Sequence, residues 1–451
     1  GGWKTYKLNS EYDSNCYYDY DRAPRIARAP NGHIGVVWGE HDGNDWRIRY
    51  REWNGTGWID HGRQYQVYDF GSDQYGADIA FDTSSKPWIS FYHSTSDSVR
   101  IVNWNGTSWV NYTMDSSLNS NTRNGYYYSP RIASSPTGEI GVVWNEYDGS
   151  NWRIRFREWD GSSWISKGGN HFQVYDSGSD QYTPDIAYNN SGVPFVSFYH
   201  STDDSVKVSR WRQVAWDTET MDSGLDGNTA YNSYYAPRLS SSPNGNVGIV
   251  WNEHDGDYWR VRYREWEGSQ WSGFGDNYQV HSQGSHQRAP DLTFDNSGQP
   301  WITFHHETND SVKVVTWDGT GWDSTIVDSE QNSNTYYDYY RSPRLSSSPN
   351  GNIGVVWGEY DGSNWQLRYK EWNGSKWLNF SSDFKIYDSG GKQRGSHEIV
   401  FDDSNKPWTV FYHDTGDSVK ASTWRGPFDT NSIGQYYYGN FRKTEKDTYR
   451  F

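Results

Sequence analysis

Short apolar runs separated by Pro, Asn, Asp and Gly recur along the whole chain, and no stretch combines a helical period with caps. The run Ile34-Gly35-Val36-Val37-Trp38 is apolar at consecutive positions, which predicts a strand buried on both faces. It is preceded by Pro24-Arg25-Ile26 and Pro30-Asn31-Gly32, and followed by Trp46 to Trp53 and the segment Trp53-Asn54-Gly55-Thr56-Gly57-Trp58. Four short strands are predicted. The first two turn at Pro-Asn-Gly, and the last two turn at Asn-Gly, a pair that favours the tight type I′ turn.

This pattern repeats. Arg25, Arg131, Arg238 and Arg344 open nearly identical segments spaced by 106, 107 and 106 residues. A related segment lies between them, as in Asp78-Ile79-Ala80 and Pro87-Trp88-Ile89-Ser90-Phe91-Tyr92-His93, and it returns at Asp185, Asp291 and Glu398. Ile26, Ile79, Ile132, Ile186, Leu239, Leu292, Leu345 and Ile399 are spaced by 53 or 54 residues. The chain is therefore four tandem copies of a two-module unit. Eight four-stranded modules buried on both faces predict an all-β, eight-bladed β-propeller; the alternative is a linear solenoid.

The chain ends favour the ring. Trp3-Lys4-Thr5-Tyr6-Lys7-Leu8-Asn9-Ser10-Glu11 aligns with Trp322 to Glu330, a fourth strand lacking its first three. The eighth module has the complementary defect: after Trp424 the expected Asn-Gly continuation is replaced by Arg425-Gly426-Pro427. Residues 1–11 are thus expected to complete the last blade, making 1–425 one domain. Residues 426–451, with Tyr436-Tyr437-Tyr438 and Phe441, fall outside the blade count. They are expected to pack on the ring or on a neighbouring subunit.

Composition changes the picture in two places. Mean hydropathy is −1.02, a value that would suggest disorder, but the 27 Trp, 37 Tyr and 17 Phe supply a large aromatic core. A net charge of −16 argues against nucleic acid as a partner. Cys16 is the single cysteine, so neither an intrachain disulfide nor a cysteine metal cluster is expected, and no cofactor is implied. No apolar run is long enough to span a bilayer. The acidic, soluble character suits an extracellular or cell-surface protein. The N-terminus lacks a signal-peptide pattern, so a secretion signal would lie outside this sequence. Sequons begin at Asn54, Asn105, Asn111, Asn189, Asn309, Asn373 and Asn379 and make a glycoprotein the expectation, although several coincide with turns.

The two module types differ at matching positions. Arg25, Arg131, Arg238 and Arg344 alternate with Asp78, Asp185, Asp291 and Glu398; Glu40, Glu146, Glu253 and Glu359 alternate with His93, His200, His306 and His413. The start of a first strand and the end of a second share one end of a blade, so these sets are expected around the channel mouth. They would either join neighbouring blades or bind a ligand. Four partly buried His could bind ligand hydroxyls or respond to pH; their separate blades argue against a metal site. The loops before the odd modules are crowded with tyrosine: Tyr17, Tyr18 and Tyr20; Tyr126, Tyr127 and Tyr128; Tyr231, Tyr234 and Tyr235; Tyr336, Tyr337, Tyr339 and Tyr340. Tyr18, Tyr127, Tyr235 and Tyr337 are taken as candidates to stack on sugar rings. The loops at Asp42, Asp148, Asp255 and Asp361 are expected to be hairpin turns.

The modules resemble sialidase-like (Asp-box, BNR-type) propellers and propeller lectins. Trp53-Asn54-Gly55-Thr56-Gly57-Trp58 echoes the Asp-box without its Ser and its middle spacing. Pro24-Arg25-Ile26 resembles the sialidase arginine motif, here present four times, and Tyr92-His93, Tyr199-His200 and Tyr412-His413 are similar to the His/Tyr pairs of propeller-type polysaccharide lyases. The resemblance implies a relation to glycans. An active site needs one asymmetric set of groups, whereas the polar candidates recur fourfold with no blade singled out. Symmetry therefore predicts a non-catalytic, multivalent binder of glycans or of a neighbouring protein subunit, in adhesion or surface assembly. Self-assembly through residues 426–451 is a further expectation, and a sialidase-like hydrolase or polysaccharide lyase is the alternative.

Overall fold

The computed structural model describes residues 2–9, 15–16, 23–69, 71–114, 129–168, 170–222, 236–282, 284–328, 334–335, 342–380, 384–387, 390–394 and 398–426. They form eight antiparallel sheets, met one after another along the chain. Blade 1 comprises Arg25–Arg28, Ile34–His41, Trp46–Trp53 and Trp58–Asp60, and blade 2 comprises Gln74–Phe81, Pro87–His93, Ser98–Trp104 and Trp109–Thr113. The next five follow the same plan. In blades 1 and 7 a two-residue strand (Asn15–Cys16, Asn334–Thr335) also pairs with the end of the second strand. First strands of consecutive blades touch all round, from blade 8 to blade 1 included. The eight-bladed propeller read from the repeat is the fold of the protein.

Ring closure follows the predicted route. Gly2–Lys7 pairs antiparallel with Ser418–Arg425, with Trp3 opposite Trp424 and Tyr6 opposite Ala421. The pairing extends through Leu8 N to Val419 O (3.0 Å) and through the Asn9 side chain, which donates to Asp417 O and accepts from Val419 N. The borrowed strand also reproduces the aromatic packing of an ordinary fourth strand. Tyr6 stacks on Trp408 at 6.0 Å and 12°, as Tyr112 stacks on Trp88 at 6.2 Å and 13°. Trp3 meets Tyr369 edge-on at 5.2 Å, as Trp109 meets Tyr50 at 5.6 Å.

Two-sided burial of the second strand explains why the blades need one another. Ile34, Val36 and Trp38 pack with Trp408, Val410 and Tyr412 of blade 8, while Val37 packs with Ile79, Phe81 and Ile89 of blade 2. Alternation along a strand sends successive side chains to opposite neighbours. Gly35 lies between them with no room for a side chain, since a Cβ there would sit 2.6 Å from the Phe81 ring. Gly141, Gly248 and Gly354 face Tyr188, Phe294 and Phe401 in the same way.

One local expectation is corrected. The Asn-Gly turn is not a two-residue type I′ hairpin: Trp53 pairs directly with Trp58, which leaves a four-residue loop, and Gly55 rather than Asn54 has positive φ (96°). The Asn54 side chain holds that loop by accepting from Thr56 N, Thr56 Oγ1 and Gly57 N at 2.9–3.0 Å. Asp318 does the same with Thr320 and Gly321. This side-chain-capped loop displaces the backbone-only turn.

Two predictions follow from this architecture. Thr5 Oγ1 lies 2.7 Å from Ser422 Oγ across the closing pair, so Thr5→Cys with Ser422→Cys, in a Cys16→Ser background, should oxidise to an intrachain disulfide and raise the Tm. Failure of the pair to cross-link, read by peptide mass spectrometry, would refute the closure. The second concerns Glu371, whose carboxyl is pushed by burial to about 7, against the hydrogen bonds from Tyr369 and Asn352. Its ordinary value is about 4.3, so the folded state holds the proton more tightly, and stability should fall as pH rises from about 4 to about 7. Glu371→Gln should flatten that part of the Tm–pH curve.

Candidate functional site

The Arg and acidic sets sit on the innermost strands and tie blade to blade. Asp78 Oδ2 accepts the Ile132 N–H of blade 3 (3.2 Å), Asp185 that of Leu239 (2.9 Å), Asp291 that of Leu345 (3.0 Å) and Glu398 that of Ile26 (3.2 Å). The fourth contact carries the series across the closure. Arg25 is hydrogen-bonded to Glu398, and Arg131 Nη1 lies 4.0 Å from Asp78 Oδ2. Burial pushes the Asp78 carboxyl up, while Arg131 and Arg25 draw it down and Glu398 pushes it up again. Asp291 behaves alike between Arg344 and Arg238. Opposite charges thus alternate around the mouth, and each acid also spends a lone pair on a backbone N–H of the next blade.

The glutamates lie deeper than expected. Glu40, Glu146, Glu253 and Glu359 are fully buried, and each accepts the indole N–H two residues before it: Trp38 at 3.0 Å, Trp144 at 3.2 Å, Trp251 at 3.1 Å and Trp357 at 3.0 Å. Arg49, Arg155, Arg262 and Arg368 lie 3.6–3.8 Å away, equally buried. A buried ion pair completed by an indole donor supports the blade. Its burial corrects the expectation that these four carboxylates line a ligand surface.

His93, His200, His306 and His413 end the second strands of the even blades, and the structure brings to each a pair of groups not singled out in the sequence. An aromatic ring from the preceding linker meets the imidazole edge-on: Tyr68 at 5.7 Å, Tyr175 at 5.7 Å, His281 at 5.5 Å and Tyr387 at 5.3 Å. A cation from the third strand covers the same ring: Arg100 and Lys207 each lie 5.8 Å from the Tyr68 and Tyr175 centroids, and Lys420 lies 5.2 Å from that of Tyr387. In blade 6, Lys313 Nζ is 3.2 Å from His281 Nε2. Buried Gln74, Gln181, Gln287 and Gln393 fix the linkers, each donating to the carbonyl of the aromatic residue or histidine. The signal was available in the sequence as Gln66-Val67-Tyr68, Gln173-Val174-Tyr175, Gln279-Val280-His281 and Lys385-Ile386-Tyr387, at constant phase in the repeat.

These alignments overturn the expectation that no blade is singled out. Four of the 13 histidines, His281, His286, His305 and His306, fall in or just before blade 6, and the first three occupy positions held by Tyr68, Asp73 and Tyr92 in blade 2. His305 Nε2 lies 3.0 Å from Asp310 Oδ1, and His286 Nε2 lies 3.8 Å from Glu307 Oε2. Burial, with the nearby Lys313 and Arg260 acting in the same direction, lowers His281 and His306 to about 4. Among the described residues no group of three metal-ligating side chains is present.

The Asp42 loop and its counterparts are hairpin turns, as expected. Asp42 accepts from Asn44 N and Asp45 N and pairs with Arg47 Nε at 2.8 Å. Burial raises its carboxyl, but the Arg47 and backbone donors outweigh this and hold it at about 2. Asn54, Asn105, Asn189 and Asn373 all accept turn N–H groups through the side chain. Asn111 lies on a fourth strand within 3.4 Å of Arg100, and Asn379 ends another. Asn309 lies in the 3-10 turn Glu307–Asn309. Tyr18, Tyr127, Tyr235 and Tyr337, with the rest of the tyrosine-rich loops and all of the tail after Gly426, lie outside the described residues.

No protein-family model matches the chain, and no curated protein matches it. Solved structures similar to it include a PL25 ulvan lyase (10% identity, 95% of this chain and 99% of that one, TM-score 0.47). The polysaccharide lyase Uly1 aligns at 11% identity over 82% of this chain and 93% of its own, with TM-score 0.47. A leech intramolecular trans-sialidase aligns at 12% identity over 82% and 70%, with TM-score 0.41.

The blade-to-blade role of the acidic set has a direct test. Asp78→Ala would strip the Ile132 N–H of its acceptor and leave Arg131 and Arg25 less neutralised, at a cost of about 2–4 kcal/mol. Asp78→Asn retains an acceptor oxygen and should cost less. Denaturant midpoints that do not order in this way would reject the assignment.

Proposed function

We propose that this propeller is a non-catalytic, multivalent glycan-binding protein that works outside the cell in adhesion or surface assembly. The observation that carries the reading is the cluster of aromatic or imidazole ring, histidine and cation that recurs on all four even blades, at one end of the ring. A ring gives a sugar an apolar face to stack on, and imidazole and ammonium groups supply hydrogen bonds to its hydroxyls. We also propose that Tyr18, Tyr127, Tyr235 and Tyr337, in the tyrosine-rich segments that precede the odd blades in sequence, add to the surface. Four clusters built on one plan suit a repetitive ligand, for which effective concentration multiplies a weak single-site affinity. Residues 426–451 are proposed to pack on the ring or on a neighbouring subunit, and the sequons to be sites of glycosylation.

Binding to a polyvalent glycan surface should exceed binding to the matching free sugar by about 100-fold or more. Tyr175→Ala in one cluster should weaken the polyvalent interaction without abolishing it. A glycan array silent to the wild-type protein would reject the reading. The uneven blade 6 favours one alternative, a glycan-active enzyme with its chemistry at His306. Incubation with neutral and acidic polysaccharides is expected to yield no new reducing ends or unsaturated products; products that disappear in His306→Ala would establish that alternative instead.

A further inference from the structure

We propose that the blade 6 cluster is a site for the carboxylate of an acidic sugar, set apart from those of blades 2 and 4 by a histidine that no neighbouring side chain answers. The proposal rests on the glycan reading and names the sugar class that this site selects.

Blade 4 shows what such a cluster accepts. There Asp203 lies 3.3 Å from His200 Nδ1 and 3.0 Å from Lys207 Nζ, so a carboxylate bridges the imidazole and the ammonium. The Asp203 side chain is 50% exposed, so a carboxylate standing half in solvent reaches both groups. Lys207 and His200 in turn draw the Asp203 carboxyl below its ordinary range. In blade 2 the position three residues past the histidine is Ser96, which bonds His93 Nδ1 at 2.8 Å and Arg100 Nη2 at 3.3 Å. In blade 6 that position is Asn309 and in blade 8 it is Gly416, neither of which brings a charge.

The remaining acids of blade 6 do not answer the cluster. Glu307 pairs with Arg288 at 3.1 Å, Asp310 with His305 at 3.0 Å, and Asp328 accepts the Val312 N–H at 3.0 Å while acting on Lys313 from a distance. His306 is 2% exposed, and neither ring nitrogen has a hydrogen-bond partner among the described residues. The charged groups acting on His281 and His306 are all basic: Lys313 and Arg260 on both, with His281 and His305 also on His306. A buried, unanswered imidazole beside an ammonium is a costly arrangement. An incoming carboxylate relieves it by taking a charge-assisted bond from Lys313 and an N–H from His306. Blades 2 and 4 meet the same need internally with Ser96 and Asp203.

The probes are glucuronate, glucose and acetate, added to unglycosylated full-length protein at pH 7 and followed by NMR of the histidine ring nitrogens. Glucuronate should shift His281 and His306, glucose should not, and acetate should bind more weakly than glucuronate. Asn309→Asp, which places an internal carboxylate on the blade 4 pattern, should weaken glucuronate at least tenfold. Asp203→Asn should make His200 respond as a second site. An unchanged glucuronate affinity in Asn309→Asp, or an unmoved His306 in the wild type, overturns the proposal. Acetate binding as tightly as glucuronate overturns its assignment to a sugar. Array binding of neutral glycans alone, with His306 silent, defeats this pocket and leaves the glycan reading standing. A silent array together with a His306 shift by glucuronate does the reverse.

Discussion

Each blade of this ring has two apolar faces, and neither can be left in water. Trp38 and Val37, adjacent in one strand, are buried by different neighbours, and each large side chain so buried is worth about 1.5–3 kcal/mol. An open array would leave two such faces exposed at its ends. Pairing of Gly2–Lys7 with Ser418–Arg425 removes both ends at once. It does so by supplying Trp3 and Tyr6 to the places that Trp109 and Tyr112 fill in blade 2. Every other feature of the molecule presupposes that closure, because the staple from Glu398 to Ile26 joins residues at opposite ends of the chain.

Polar groups in this fold serve the packing before they serve a ligand. The fully buried Trp38 needs an acceptor for its N–H, Glu40 supplies it, and Arg49 keeps Glu40 from being an isolated buried charge. Much of the chain's acidity has a similarly local cause. Asp82, Asp295 and Asp402 each take two backbone N–H groups with one oxygen and an indole N–H with the other, from Trp88, Trp301 and Trp408. A large negative charge thus arises from hairpins that use Asp as a cap, and it carries little information about partners.

The repeat made the fold legible because its spacing, its Trp and Gly phases and the complementary defects at the two ends are properties of the linear sequence. The candidate site was legible only in part, for two physical reasons. Glu40 and His93 occupy matching positions, yet a Glu beside Trp38 is drawn inward by the indole whereas His93 faces a linker ring; that difference depends on neighbours distant in sequence. Tyr68, Arg100 and their equivalents form no linear pattern because they lie on separate elements and converge only when the third strand pairs with the second. The loop at Asn54 departs from the type I′ turn because its side chain, rather than backbone dihedrals alone, determines the loop.

Tandem repetition also gives the molecule its own internal controls. When four copies occupy equivalent places in one ring, a position that serves packing is held to one chemical answer by the same geometry each time, as Gln74, Gln181, Gln287 and Gln393 are. Departure at such a position in a single copy leaves the packing demand intact while changing the chemistry. In blade 6, His281 keeps the edge-on ring contact that Tyr68 makes in blade 2, so the substitution respects the structural requirement. It replaces a phenol with a ring nitrogen that accepts from Lys313, and the change coincides with an unanswered His306 where Ser96 bonds His93 and Asp203 stands beside His200. Packing explains neither of these changes, and their coincidence in one cluster separates that blade's chemistry from the fourfold scaffold that carries it.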